Sequence, residues 1–119
     1  MHINVLGLQG EELVCSLLTK KNFTIVEKNY SFRTGEIDII AKNKDVLTFV
    51  EVKTRRKAYF PISTVVNQSK QRKIIKTALH FLAYNPHPNT VIRFDVATVI
   101  MSESSHEIQY IPNAFTKPS

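Results

Sequence analysis

Apolar residues recur along this chain with two different periods. Between 10 and 21 they fall at Leu13, Val14, Leu17 and Leu18, one stripe of a 3.6-residue helix that Asn22 is expected to end. Over 23–29 (FTIVEKN) the pattern alternates, as in a strand. Segments 36–41 (EIDIIA) and 47–54 (LTFVEVKT) also alternate, and the polar KNKD between them makes the pair a hairpin. A basic loop with one proline, TRRKAYFPIS, leads to a second helix over 66–83. Its stripe is Ile74, Ile75, Ala78, Leu79, Phe81 and Leu82, and Pro86 and Pro88 bar its continuation. Segment 91–100 (VIRFDVATVI) reads as a β-branched strand and 107–111 as a short fifth one, with a frayed tail, NAFTKPS. The order α-β-β-β-α-β-(β) predicts an α/β fold: one domain over 1–119, core about 7–111, with a mixed central sheet flanked by helices.

Strand phase groups the charged residues of the hairpin. Glu36, Asp38 and Ile40 share one face of their strand, and Ile37, Ile39 and Ala41 the other. On the next strand Leu47, Phe49, Glu51 and Lys53 lie opposite Val50 and Val52. A two-residue turn at Lys44-Asp45 puts Asp38 across from Glu51, and Glu36 across from Lys53. Two carboxylates opposed at ~4 Å repel by roughly 4 kcal/mol at an effective dielectric of 20. A divalent cation relieves that repulsion, and carboxylate oxygens suit Mg²⁺ or Mn²⁺. The competing reading is a salt-bridge face of these acids with Lys53 and nearby arginines. On the first helix, Glu11 lies about 90° from the centre of the apolar stripe and can reach inward, while Glu12 faces solvent. Glu11 is equally accounted for as an acid favoured in a first helical turn.

Charge adds a polyanion to the picture. The formal net charge is +6, from 16 Lys+Arg and 10 Asp+Glu, with 43% apolar residues. Setting aside Glu11, Glu36, Asp38 and Glu51 leaves six acids against 16 bases, so an acidic cluster sits in a basic protein. On the second helix Arg72, Lys73 and Lys76 lie away from the apolar stripe, with Lys70 at its edge and Arg55, Arg56 and Lys57 before it. They are either phosphate contacts or a solvated face. Tyr30, Phe32 and Tyr59 are read as core or rim residues more readily than as base-stacking ones. The single cysteine, Cys15, excludes an internal disulfide and reads as a packed residue. It fits a cytoplasmic protein, as does the lack of a signal-like N-terminus or a roughly 20-residue apolar run, so no membrane partner is expected. His2, His80, His87 and His106 show no zinc spacing. Asp95 is expected to pair with Arg93 or a neighbour.

Several blocks together resemble a known family. Gly10-Glu11, GEIDII at 35–40, FVEVKTR at 49–55, Lys70-Gln71-Arg72 and Arg93-Phe94-Asp95-Val96 are similar to the YraN family of small bacterial proteins, over about 7–100. Val14, where the family usually has alanine, and Phe60-Pro61, in a region often bearing glycine, depart from it. That family looks like the archaeal Holliday-junction resolvases of the PD-(D/E)XK nuclease superfamily. The resemblance implies a restriction-endonuclease-like fold, with Glu11, Asp38, Glu51 and Lys53 in the acid, acid, acid and lysine positions. It marks Lys70 as a phosphate contact.

The resulting expectation is a Mg²⁺- or Mn²⁺-dependent endonuclease for DNA, with branched DNA suggested by the resolvase likeness alone. Asp38, Glu51 and the Val52 carbonyl hold the ion, and Glu11 holds water or a second ion. Lys53 orients the attacking water or stabilises phosphate charge; serving as a base requires burial to depress its pKa. Glu36 either supports the ion from outside or, the favoured expectation, pairs with Arg33 or Lys53. Lys70, Arg72, Lys73, Arg55 and Arg56 contact nucleic acid, and a homodimer is compatible with two-fold substrates. The alternatives are a nucleic-acid-binding module inactive without a partner and an assembly protein without catalysis.

Overall fold

Both helices bury most of the stripe that their periodicity marks, one on each face of a five-stranded sheet. The computed structural model describes residues 5–56 and 65–117. The elements run α1 (Val5–Lys20), β1 (Thr24–Phe32), β2 (Gly35–Asn43), β3 (Val46–Arg55), α2 (Gln68–Tyr84), β4 (Val91–Met101) and β5 (His106–Phe115). The sheet order is β1-β2-β3-β4-β5. β3 and β4 are parallel and linked through α2, and the other pairs are antiparallel. This is the α/β order read from the sequence, with the mixed sheet of a restriction-endonuclease-like core. Lys57, Tyr59, Phe60-Pro61 and His2 lie outside the described residues. Among those described, no helix is long and apolar enough to cross a membrane.

α1 ends where Asn22 takes φ 69°. Phe23 N–H then donates to Leu18 C=O and Asn22 N–H to Thr19 C=O, which satisfies the last carbonyls. The helix covers one sheet face with Val14 and Leu18 on Ile39, Ala41, Val50, Ala97 and Val99. Each fully buried aliphatic side chain contributes roughly 1.5–3 kcal/mol. The departure at Val14 is a packing residue, fully buried. On the other face Ile74, Ile75, Ala78 and Phe81 of α2 pack on Ile40, Leu47, Phe49 and Phe94. Asn67 starts α2 by accepting from Lys70 N–H at 2.9 Å. Leu79 is 45% exposed and does not join the stripe assigned to it.

Two strand readings are corrected. β5 continues to Phe115, which is buried against Phe94, so the segment from Asn113 is not a frayed tail. Ile37 does not share a face with Ile39 and Ala41: it packs with Ile40 and Tyr30 under α2. The phase of β2 therefore changes at Asp38. Opposite that residue on β1 stands Asn29, with φ 52°, a backbone turn that breaks strict alternation.

Candidate functional site

The hairpin register is the one a two-residue turn dictates. Asn43 pairs with Val46 around Lys44 and Asp45, and the ladder runs to Ile39 opposite Val50. One step further, Asp38 stands against Glu51. There the strands part. β2 stays paired with β1 as far as Phe32–Gly35, and β3 with β4 as far as Arg55–Ile100, while the β2–β3 ladder has ended. The first turns of α2 face the gap, making a cleft of about 530 Å³ lined by Glu36, Asp38, Glu51, Ser69, Lys70 and Lys73 among others. Gly35 opens β2 at φ 148°, a conformation that side-chain-bearing residues rarely adopt, which gives the glycine of the GEID block its physical reason.

Asp38 accepts a hydrogen bond from Val52 N–H at 2.7 Å. Its carboxyl is pushed up to about 8, first by burial and then by the charge and hydrogen bonding of Glu51; the Val52 N–H pulls the other way. Glu51 is 8% exposed, and Lys70 Nζ reaches its Oε1 at 3.4 Å. Lys70 leaves the pair undercompensated, since Asp38 still favours its protonated form. Two hard oxygen donors that repel each other, with one marginal cation nearby, could hold a divalent ion. Among the described residues no group of three His, Cys, Asp or Glu side chains converges as a metal-binding set. The ready-made donors are this pair.

Helix phase places Glu11 as expected, half-buried, with Glu12 exposed. Burial raises the Glu11 pKa, and the charges of Asp38 and Glu36 add to that. Glu11 and Glu36 are joined by a residue that alternation did not single out. With its amide nitrogen turned toward the carboxylates, Asn29 donates to Glu36 Oε1 at 3.0 Å and to Glu11 Oε1 at 3.2 Å. The opposite orientation would set the amide oxygen against two acids. A polar residue opposite Asp38 was the available signal, but its use depended on the β1–β2 register.

The expected pairing of Glu36 with Arg33 or Lys53 does not form, nor does one between Lys53 and Glu51, among the described residues. The diverging strands are the reason: Glu36 pairs across to Ser31 on β1, so nothing brings it to Lys53. Lys53 lies two residues, about 6.8 Å, beyond Glu51 on the same face of β3. Of the basic set, Lys70 and Lys73 line the cleft. Arg72 lies on the other flank of α2 beside Gln68, Ile75 and Thr116. Arg55 and Arg56 are exposed at the end of β3.

Two other expectations hold. Asp95, fully buried, takes bidentate bonds from Arg93 at 2.9 and 2.9 Å, with Asn113 N–H and Tyr110 Oη completing its shell. Cys15 is partly buried against α1's core cluster, and burial pushes its thiol up, away from nucleophilic character.

Residues 10–99 match the family described as "Uncharacterised protein family UPF0102". The span contains all four predicted site residues. The UPF0102 protein of Geobacter metallireducens is 40% identical over 116 residues, covering 97% of this chain and 95% of the relative. Its counterpart in Treponema denticola is 43% identical over 122 residues, covering 92% and 94%. That of Alkaliphilus metalliredigens is 42% identical over 111 residues, covering 92% and 96%.

Proposed function

This chain belongs to the uncharacterised family UPF0102, and we propose that it is a metal-dependent endonuclease hydrolysing phosphodiester bonds in DNA, with branched or structured DNA as the substrate. The observation that carries the reading is the pairing of half-buried Asp38 with buried Glu51, set across a gap between parting strands with lysines on its rim. Asp38 and Glu51 would hold Mg²⁺ or Mn²⁺, with the Val52 carbonyl beside them. The ion supplies charge stabilisation at phosphate and acidifies water. Val52 N–H fixes the Asp38 carboxylate, leaving its other oxygen for a ligand. Glu11, sharing the Asn29 amide with the cleft residue Glu36, would orient water on the side of Asp38. Lys53, on the Glu51 face, steadies the attacking water or the charge growing on phosphate. Lys70 balances Glu51 in the resting protein and, with Lys73, is available to phosphate oxygens.

The test is cleavage of branched, single-stranded and duplex DNA with Mg²⁺, Mn²⁺ or EDTA. The wild type is expected to cut only with metal, and Asp38→Asn and Lys53→Ala to lose at least about 100-fold in rate, the lower scale of an electrostatic catalytic group. Persistent cleavage by Asp38→Asn would refute this site. DNA binding without cleavage in any metal would instead make the protein a nucleic-acid-binding module that needs a partner for activity.

A further inference from the structure

Beyond the cleft, the β1–β2 turn folds onto the middle of α2. Thr34 Oγ1 hydrogen-bonds Thr77 Oγ1 at 2.7 Å, and Gly35 lies beside Lys73 and Thr77. Next along the helix, Phe32 stacks on His80, with ring centres 3.3 Å apart and planes 17° from parallel. Tyr84 leans on the same imidazole at 5.0 Å. The Tyr30 hydroxyl bonds His80 Nδ1 and fixes the ring from the core side, where Tyr30 meets Phe81 edge-on. Tyr30 packs partly buried against the core, a core or rim residue as expected. The outer rings stand more open: Phe32 is 39% exposed and Tyr84 76%. Burial does not account for them.

Their placement relative to charge does. At 100° per residue, Lys73, His80 and Tyr84 fall within about 20° of one line along α2, with Lys76 about 60° aside. Neither α2 nor the turn at 32–35 contains an acid. Lys73 lines the cleft. His80 is seven residues further, about 10 Å along the axis, the span of about three stacked nucleotides at 3.4 Å each. A second copy of this face is a poor match, since a two-fold contact would oppose lysines to lysines.

Resting on the nucleic-acid reading above, we infer that Phe32, His80 and Tyr84 form a stacking platform for an unpaired nucleobase. The phosphates of that strand run past Lys76 and Lys73 into the cleft. The substrate class is therefore nucleic acid with a single-stranded segment of about three nucleotides beside the phosphate that would be cut next to the Asp38–Glu51 pair.

Fluorescence anisotropy in EDTA, with a labelled 12-nucleotide single strand and a blunt hairpin duplex of equal phosphate number, tests this. Tyr84→Ala, at an exposed position that does not burden the fold, is expected to weaken strand binding at least about 5-fold, the low end for one stacked base, and to spare the duplex. Tyr84→Trp is expected to keep strand binding, and Lys73→Ala to weaken both ligands. Unchanged strand binding in both Tyr84→Ala and Phe32→Ala would overturn the platform; if Lys73→Ala still weakened both ligands, the nucleic-acid reading would stand alone. Wild-type protein that bound neither ligand would overturn both. Sedimentation showing a dimer that Tyr84→Ala dissociates would also overturn the platform, giving the patch to a second copy of the chain.

Discussion

Asp38 holds a proton at a pH where an ordinary aspartate does not, because burial and the facing Glu51 both disfavour its charge. The consequence for stability has a definite sign. A carboxyl whose folded pKa lies above its unfolded value keeps a proton that the unfolded chain has released, so stability falls as pH rises between the two values. For Asp38 that window runs from 3.8 to about 8. Without metal, the wild type is expected to lose thermal stability from pH 5 to pH 8, and Asp38→Asn to lose much less. Mg²⁺ or Mn²⁺ should restore the wild type at pH 8 and leave the variant unchanged. Melting curves with EDTA or metal decide it; a wild type as stable at pH 8 as at pH 5 contradicts the undercompensated pair. Asn29 makes a second, independent claim. Aspartate tolerates the φ of 52° found there, so Asn29→Asp changes charge and donors with little backbone penalty. It removes both amide bonds and sets a third carboxylate beside Glu11 and Glu36. Urea titration is expected to show a loss of about 1–2 kcal/mol at pH 7 and a smaller one at pH 4. An equal loss at both pH values would mean that the amide does not brace the acids.

α1 comes close enough to set Glu11 near Asp38 and Glu36 because position 10 has no side chain. A Cβ there would lie 1.8 Å from Thr54 Oγ1. Helix propensity alone favours Gly10→Ala by about 1 kcal/mol. The clash is expected to win, with a net destabilisation of about 1–3 kcal/mol, because Thr54 belongs to a central strand paired on β4 and cannot retreat far. Thr54→Ala in the same chain should recover part of the loss in a denaturant titration, and no recovery would place the strain elsewhere. At this scale much of the architecture was legible in the sequence. The turn of two residues between EIDIIA and LTFVEVKT sets Asp38 against Glu51 even though alternation in β2 breaks at Asp38, and helix phase separates Glu11 from Glu12. What escaped depends on register with a third element. The sequence does not print the point where β2 leaves β3, so Glu36 was matched to Lys53 when it belongs with Asn29. The phase change that sends Ile37 under α2 falls where β1 carries the positive φ of Asn29, and neither is marked in the sequence of β2. Phe115 was lost to a polar-looking tail because its partner, Phe94, is distant in sequence.

Charge is segregated over the whole molecule in a way that single residues hide. Between Glu51 and Asp95 the chain carries Lys53, Arg55, Arg56, Lys57, Lys70, Arg72, Lys73, Lys76 and Arg93, and no acid. The fold then divides this basic stretch. α2 turns Lys70 and Lys73 to the cleft and carries Arg72 about 100° round the helix, to the flank beside Thr116. Composition alone treats these as one patch; the helix makes them unequal. Each cation that neutralises a phosphate adds about 0.7 to the slope of log affinity against log salt for a single strand. Lys73→Ala is therefore expected to flatten that slope by about 0.7, and Arg72→Ala to leave it unchanged. Both side chains are exposed, so neither substitution should disturb the fold, and binding at four salt concentrations reads the difference directly. Equal flattening by the two would mean that nucleic acid wraps both flanks of α2, and the cleft would then be only part of the footprint. Flattening by Arg72→Ala alone would move the strand off the Asp38–Glu51 gap altogether, separating the basic face from the acids that the parting strands bring together.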